Sequence, residues 1–142
     1  MNIKVANTTN KMKYTPENIQ SLSDSEVFVF GSNLFGIHAG GTAKLALDRF
    51  GAKWGQGIGF QGKTYAIPTK DHSLNTLPLR YIKFYVNEFL DVAKTYPLRD
   101  FLVTKIGCGL AGYTIKDIAP MFISYPSNVV VPQEFAEFKV AK

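Results

Sequence analysis

The sequence predicts an α/β domain of three layers, in which a mixed, mainly parallel sheet is covered by helices on both faces. Short apolar runs rich in β-forming residues alternate along the chain with segments whose apolar residues recur at helical spacing. A length of 142 residues with 46% hydrophobic residues suffices for one core. Since no linker, repeat or low-complexity tract interrupts the pattern, we predict a single domain over residues 1–142.

The strands and helices follow from local patterns, taken in chain order. Thr15 followed by Pro16 resembles an N-cap and a first helical residue, which predicts a short helix to about Leu22. The other predicted elements are the strands Ile3–Val5, Glu26–Phe30, Thr64–Pro68, Phe101–Ile106 and Asn128–Val131 and the helices Thr42–Phe50, Leu79 to about Tyr96 and Ile115–Phe122.

Two predicted strands run directly into glycine-rich loops that lead into helices. The first loop spans Gly31–Thr42, and the second spans Ile106–Tyr113. Glycine allows positive φ and close approach of a ligand to the backbone, while successive amides and a helix N-terminus bind anions. Ligands of open α/β sheets bind at the carboxyl ends of strands. Two such loops therefore indicate a ligand with two phosphates, although each loop alone is also compatible with a simple tight turn.

Neither loop matches a common nucleotide-binding motif. The first lacks the Gly-Lys-Ser/Thr of a Walker A sequence, and the second departs from the dinucleotide G-x-G-x-x-G pattern and its acidic ribose partner. A net charge of +5 favours an anionic ligand, and nucleic acid is the weaker alternative because the basic residues are scattered.

The remaining composition restricts the class of protein. No apolar run reaches the roughly 20 residues of a membrane helix, and the N-terminus lacks the apolar region of a signal peptide. One cysteine gives no internal disulfide and suits a reducing cytoplasm. The two histidines and the cysteine are too widely separated for a structural zinc site. We expect no membrane contact, no metal and no cofactor.

Several side chains admit both a chemical and a structural interpretation. His38 in the first loop is a candidate general acid or base, yet loop histidines are more often simply exposed. A helix N-terminus would lower the pKa of Cys108, but a small residue filling a turn is the better interpretation. The glycine-rich segment 54–62 is a candidate lid, and Trp54, Phe60 and Tyr65 could stack on a base or simply pack that loop. Residues 70–72 offer a base, an acid and a candidate metal ligand, and they equally suit an ordinary loop.

Three blocks of the sequence resemble, in order, those of macro domains. They are Ser32-Asn33 with the glycine loop and helix that follow, Tyr65-Ala66-Ile67-Pro68-Thr69-Lys70, and Ile106-Gly107-Cys108-Gly109-Leu110. The chain is most similar to the branch that includes the terminal ADP-ribose glycohydrolase and the ADP-ribose-binding module of a chromatin remodeller. The resemblance spans about residues 26–131. It implies binding of ADP-ribose, with activities from recognition alone to removal of ADP-ribose from macromolecules.

The resemblance also implies roles for individual residues. Asn33 would lie near the distal ribose, Tyr113 would close over it, and Asn7 is a weak substitute for the acidic residue that reads adenine. The implied ligand-binding residues are Ser32, Asn33, Gly40, Gly41, Thr42, Gly107, Cys108, Gly109, Leu110, Ala111, Gly112 and Tyr113.

Catalytic residues of the family are matched less well than its binding loops. The aspartate that hydrolases of this branch carry after Gly-Cys-Gly-Leu is Ala111 here, and their lysine falls within 47–49, one turn after Lys44. The other macro hydrolase type places an aspartate where this chain has Ala43. If the protein is an enzyme, we expect its chemistry to depend on Asn33 and His38.

Two functions therefore stay open at the level of sequence. One is a macro domain that binds, or also processes, ADP-ribose or ADP-ribosylated macromolecules. The other is a nucleic-acid-binding or scaffold module that keeps only the fold.

Overall fold

The computed structural model describes residues 14–138 of the chain, so the predicted strand Ile3–Val5 and Asn7 lie outside the described residues. The α/β class is confirmed. The strands are β1 (Glu26–Asn33), β2 (Gly59–Gln61), β3 (Thr64–Lys70), β4 (Asp100–Val103) and β5 (Val129–Val130). The helices are α1 (Gly41–Arg49), α2 (Leu79–Thr95), α3 (Ile115–Ile118), which continues as a 3-10 turn over Ala119–Phe122, and α4 (Gln133–Glu137).

The five strands form one mixed sheet in the order β2-β3-β1-β4-β5. Strand β1 pairs in parallel with β3 on one side and with β4 on the other, and β4 pairs in parallel with β5. Only β2 runs antiparallel, in a hairpin with β3. The mainly parallel sheet that the sequence predicts is therefore confirmed, with its single antiparallel strand at an edge.

Alternate side chains of β1 fill two separate cores, one on each face of the sheet. Val27 and Val29 belong to the larger core, which α2, the 3-10 turn and α4 cover. Phe28 and Phe30 point the other way and pack with Ala43 and other residues of α1. A strand buried on both faces reads as a continuous apolar run, as Glu26–Phe30 does after its first residue. Both faces of the sheet are thus covered.

Helix α2 packs its apolar stripe on the larger core and ends against the side chain of Asn128. The stripe consists of Ile82, Val86, Phe89, Leu90 and Ala93, all buried. The buried Nδ2 group of Asn128 donates to the carbonyls of Ala93, Tyr96 and Arg99, each at 3.0 Å. Carbonyls at a helix C-terminus lack intrahelical donors. A side chain that precedes β5 therefore completes the end of α2.

None of the helices in residues 14–138 is both long and apolar enough to cross a membrane.

The predicted helix from Thr15 to Leu22 is wrong, because residues 14–25 contain no helix. The Thr15 N–H donates to the carbonyl of Val131, and the Thr15 hydroxyl donates to that of Val130. The hydroxyl that would have capped a helix instead binds the last residue of β5. A tertiary contact 115 residues away in sequence has overridden the local capping signal.

Other boundaries differ by a few residues for local reasons. Strand β4 ends at Val103 rather than at Ile106, because the Ile106 N–H turns back to the Thr104 carbonyl. Strand β3 continues past Pro68 to Lys70. Proline has no N–H to donate to a neighbouring strand, but β2 pairs with β3 only as far as Ala66, so the pairing with β2 loses no hydrogen bond at Pro68. Strand β2 and helix α4 were not predicted.

The cap of α2 gives a prediction about stability. Replacing Asn128 with aspartate keeps the shape but removes both N–H donors and sets a carboxylate against three carbonyl oxygens. We expect a loss of about 3 kcal/mol or more in the free energy of unfolding, measured with urea at pH 7. Asn87→Asp, at an exposed position of the same helix, is the control. A loss below about 1 kcal/mol would show that this cap matters little.

Candidate functional site

The two glycine-rich loops leave the carboxyl ends of adjacent parallel strands. The first follows β1 and opens α1, and the second follows β4 and opens α3. From β1 the chain moves to β3 on one side and then returns past β1 to β4 on the other side. Helices α1 and α2 lie on opposite faces of the sheet. The gap between β1 and β4 is therefore a topological switch point, where open α/β sheets bind their ligands.

The loops approach each other closely at this edge. A Cβ atom on Gly40 would lie 3.8 Å from Cδ1 of Leu110. Deeper in the sheet, a Cβ atom on Gly31 would lie 3.6 Å from the backbone nitrogen of Gly107. The second loop thus lies next to β1 and next to the first loop, as the sequence predicts for loops at adjacent strand ends.

Helix α1 begins with open backbone donors. Its N-cap, Gly40, makes no side-chain capping bond, and the first turn carries no acidic residue. The first amides of a helix lack intrahelical acceptors and carry positive partial charge. Gly41 has φ of +58°, and a Cβ atom there would meet nothing within 4 Å. With the exposed Thr42, this N-terminus is ready to accept an anion.

The second loop holds its own shape and leaves three of its amides without an acceptor in the described part of the chain. The N–H groups of Cys108, Gly112 and Tyr113 donate to carbonyls within residues 105–109. Those of Gly109, Leu110 and Ala111 donate to no acceptor among residues 14–138. Leu110 is 78% exposed, and a Cβ atom on Gly109 would meet nothing within 4 Å. The tip of this loop is therefore open to a ligand.

The N-terminus of α3, which follows the second loop, is already capped and is not open to a ligand. The Asp117 carboxylate accepts hydrogen bonds from the backbone N–H and the hydroxyl of Thr114, which closes a capping box on α3. These bonds, the backbone one foremost, lower the pKa of Asp117. Only the first loop thus combines glycines with an open helix N-terminus, and the second contributes its loop amides alone.

Ser32 and Asn33 are the last residues of β1, and both are buried. The Ser32 hydroxyl donates to the carbonyl of Gly57. The Asn33 side chain spans the turn after the strand: its Nδ2 donates to the Ile37 carbonyl at 2.8 Å, and its Oδ1 accepts from the Ile37 N–H at 2.9 Å. The structure thus places Asn33 at the end of β1, which continues past the predicted end at Phe30, and the Asn33 amide shapes the turn that follows.

His38 is fully buried rather than exposed in its loop. Its Nε2 lies 3.0 Å from the carbonyl of Gln56 and 3.3 Å from Oε1 of Gln61. Because a carbonyl only accepts, Nε2 must carry the hydrogen. Nδ1 is buried without a partner among the described residues. The imidazole joins the first loop to the segment before β3, and it has no exposed edge for proton transfer to a bound substrate.

Cys108 and Tyr113 are both half-buried parts of the second loop. Burial, with a smaller contribution from the charge of Asp117, raises the pKa of the Cys108 thiol to about 11. The carboxylate of Asp117 stands at the N-terminus of α3, where its negative charge adds to the effect of burial. The Tyr113 hydroxyl donates to the carbonyl of Leu77 at 2.7 Å, so its ring anchors the loop to the chain before α2.

The segment considered as a lid is fixed by many contacts. The Gly55 N–H donates to the Gly36 carbonyl, and the Gln56 side chain bonds the backbone of Ile58 and Phe60. A Cβ atom on Gly57 would overlap the carbonyl oxygen of Asn33, so only glycine fits there. The segment is therefore bonded both to the end of β1 and to the first loop.

The polar run at 70–72 shapes its own loop. Oδ1 of Asp71 accepts from the N–H groups of Ser73 and Asn75, and exposed His72 lies against Phe35 with ring centroids 6.2 Å apart.

A pocket of about 180 Å³ lies beside the start of α1, on the α1 face of the sheet. Its apolar walls include Ile19, Phe28 and Leu45, and Thr42 connects it to the first loop. At its rim the Lys105 ammonium lies 2.8 Å from the Glu134 carboxylate and 3.3 Å from that of Glu17. The hydrogen bond to Glu134 is the main cause that raises the pKa of Lys105.

The pocket was not foreseen in the sequence. Its walls come from the segment 15–19, from β1 and α1, from 104–105 and from 132–134. No short spacing connects these positions, so only the assembled sheet brings them together.

The surroundings of Cys108 predict its reactivity. Since its pKa of about 11 keeps the thiol protonated near neutral pH, we expect iodoacetamide to modify the folded protein much more slowly at pH 8 than the protein unfolded in urea. The rate for the folded protein should keep rising with pH beyond 9, followed by mass spectrometry. Equal rates for both states at pH 8 would contradict the burial of this thiol.

No protein-family model matches the chain, and no curated protein or solved structure shows significant similarity to it. The likeness of its glycine loops to those of macro domains therefore stays an expectation from the sequence.

Proposed function

We propose that the protein binds ADP-ribose or a related ADP-ribosyl nucleotide at the edge between β1 and β4. One observation carries the proposal: two glycine-rich loops adjoin at the carboxyl ends of neighbouring parallel strands, and each presents open backbone amides. Adjoining loops of this kind suit a diphosphate, because each can receive one phosphate group.

The first phosphate fits the N-terminus of α1. The amides of Gly41 and Thr42, with the partial positive charge of the helix, favour an anion there. The second phosphate fits the unbonded amides of Gly109–Ala111, which are close to α1 because the Leu110 side chain lies next to Gly40. Backbone amides bind phosphate oxygens without a lysine or a metal ion, which agrees with the absence of a Walker A sequence.

We assign the base of the nucleotide to the pocket beside α1. An apolar cavity of about 150 Å³ holds benzene in another protein, so a pocket of about 180 Å³ has the size for an aromatic ring. Phe28 and Leu45 supply apolar walls, and the carboxylates of Glu17 and Glu134 can accept from an exocyclic amino group. Thr42 belongs to both the pocket and the helix start, so base and phosphate would lie next to each other.

Recognition, rather than hydrolysis, is the activity that these contacts support. The side chains of Asn33 and His38 are occupied by internal hydrogen bonds, and His38 is fully buried. Neither is arranged to activate a water molecule at a bound ribose. A turnover assay on ADP-ribosylated protein and nucleic acid tests the narrower hydrolase proposal.

The two-loop arrangement predicts a graded ligand preference. We expect ADP-ribose to bind with micromolar affinity, about −8 kcal/mol, and to raise the melting temperature. AMP should bind much more weakly because it engages only one loop. Isothermal titration calorimetry measures both affinities. If AMP and ADP-ribose bind equally well, the two loops do not act together.

Substitution of Gly109 tests the second loop directly. The surroundings of Gly109 are open, so a valine side chain fits there without distorting the fold, and it would hinder a phosphate from reaching the unbonded amides of the loop. We expect Gly109→Val to weaken ADP-ribose binding at least tenfold, about 1.4 kcal/mol, with an unchanged circular dichroism spectrum.

A matched pair tests the first loop. Gly41→Val combines coverage of the helix start with strain at positive φ, and Gly59→Val in β2 carries the same kind of strain in equally open surroundings. Binding should fall for Gly41→Val and persist for Gly59→Val. Normal binding by both Gly109→Val and Gly41→Val would place the phosphates elsewhere.

A further inference from the structure

Two aromatic rings meet at the carboxyl edge of the sheet, and neither belongs to the two cores. Phe35 follows the end of β1 by two residues, and His72 follows the end of β3 by two residues. Their ring centroids lie 6.2 Å apart, with an angle of 58° between the ring planes. Phe35 is 55% exposed, and His72 is exposed as well. We call Phe35 and His72 the ring pair.

The turn that carries Phe35 is fixed by its own hydrogen bonds. Asn33 closes it, because its side chain bonds both the N–H and the carbonyl of Ile37. The Gly36 carbonyl accepts from the Gly55 N–H at 2.8 Å, and a Cβ atom on Gly36 would overlap the Gly55 backbone. A ring that is ordered before binding loses less entropy when a ligand packs on it.

The turn that carries His72 contains a strained residue. The Leu74 N–H donates to the Asp71 carbonyl at 3.0 Å, so His72 lies within this turn. Leu74 has φ of +67°, and in residues 14–138 no other residue except glycine has a positive φ. Leu74 stays 44% exposed, so packing in a core does not offset the cost of this conformation. Strained residues cluster at ligand sites, where they hold a neighbouring group in position.

The ring pair and the pocket beside α1 lie on opposite sides of the glycine loops. At the rim of the pocket, Lys105 follows β4 and Glu134 follows β5, whereas the ring pair follows β1 and β3. The strands lie in the order β3-β1-β4-β5, so the gap between β1 and β4 separates the two features. The Thr76 hydroxyl donates to the Ala111 carbonyl at 2.8 Å, so the loop of His72 adjoins the second glycine loop.

This order gives the direction of a bound nucleotide. In the proposed complex, the first base occupies the pocket, and the diphosphate lies between Thr42 and Gly109–Ala111. The other end of the ligand therefore extends along the edge of the sheet towards β3 and the ring pair. Dinucleotides lie across the switch point of open α/β sheets in the same way.

The charges near the ring pair favour a ring over a further phosphate at that end. Lys70 and Asp71 are neighbours of opposite charge at the end of β3. The segments 31–42, 72–77 and 106–113 contain no lysine, arginine, aspartate or glutamate. A third phosphate thus meets no excess of positive charge there, whereas an aromatic group meets the open ring of Phe35.

We propose that the ring pair binds the second base of a dinucleotide, so that the complete ligand of this edge is a molecule such as NAD+. The second base stacks on the exposed ring of Phe35, and His72 holds that ring from the other loop. The inference rests on the proposed function, because it takes the pocket and the glycine loops as the sites of the first base and the diphosphate.

Isothermal titration calorimetry with NAD+ and with ADP-ribose tests the ring pair. We expect the wild type to bind NAD+ about fivefold more tightly than ADP-ribose, on the scale of one aromatic contact. Phe35→Ala should remove this preference and leave the affinity for ADP-ribose within about twofold of the wild type. Phe35→Tyr keeps a ring and should retain the preference. The control is Phe84→Ala, at a similarly exposed phenylalanine of α2, which should also retain it.

The outcomes separate this inference from the proposed function. Equal affinities of the wild type for NAD+ and ADP-ribose would overturn the ring pair and leave the nucleotide site intact. A preference for NAD+ that survives Phe35→Ala, or that Phe84→Ala removes equally, would overturn it as well. If the wild type binds neither ligand, the nucleotide site and the ring pair are both rejected.

Discussion

Strand β1 is the element on which the rest of the structure depends, because it is paired on both edges and buried on both faces. Its backbone bonds to β3 and β4, while its side chains alternate between two cores. The four side chains from Val27 to Phe30 are no more than 1% exposed. A change of register by one residue would exchange phenylalanines for valines in both cores at once. The end of β1, and with it the position of the first glycine loop, is therefore tightly fixed.

Much of the fold followed from the sequence because its main signals are local. The run Glu26–Phe30 and the spacing of apolar residues along Leu79–Tyr96 gave a central strand and the longest helix, and both are confirmed. Strand β2 was not predictable from the sequence, because it is only three residues long and begins at a glycine in a glycine-rich segment. The helix predicted after Thr15 is absent because the threonine bonds to the end of β5 and to Val131, partners that no local pattern reveals.

The candidate site, like the fold, has features that local sequence predicts and features that depend on tertiary contacts. The glycine loops could be located from their spacing after two strands, since the backbone itself supplies the donors. The roles of side chains could not be read from spacing, because they depend on tertiary partners. His38 is buried against Gln56 and Gln61. The pKa of Cys108 is raised in part by the charge of Asp117, which caps α3. Residues at the rim of the pocket, such as Lys105 and Glu134, are joined only when the chain is folded.

The bonds of Thr15 and Lys105 have a consequence for the order of folding. They connect the segment before β1 with β5 and the residues that follow it, at a separation of 115 residues for Thr15 and Val130. Contacts between residues so far apart in sequence close a long loop at a high entropic cost, so we expect them to form late in folding. We therefore expect the pocket beside α1 to be complete only once the sheet has assembled, so a ligand that requires this pocket would bind the folded protein and not a partly folded chain.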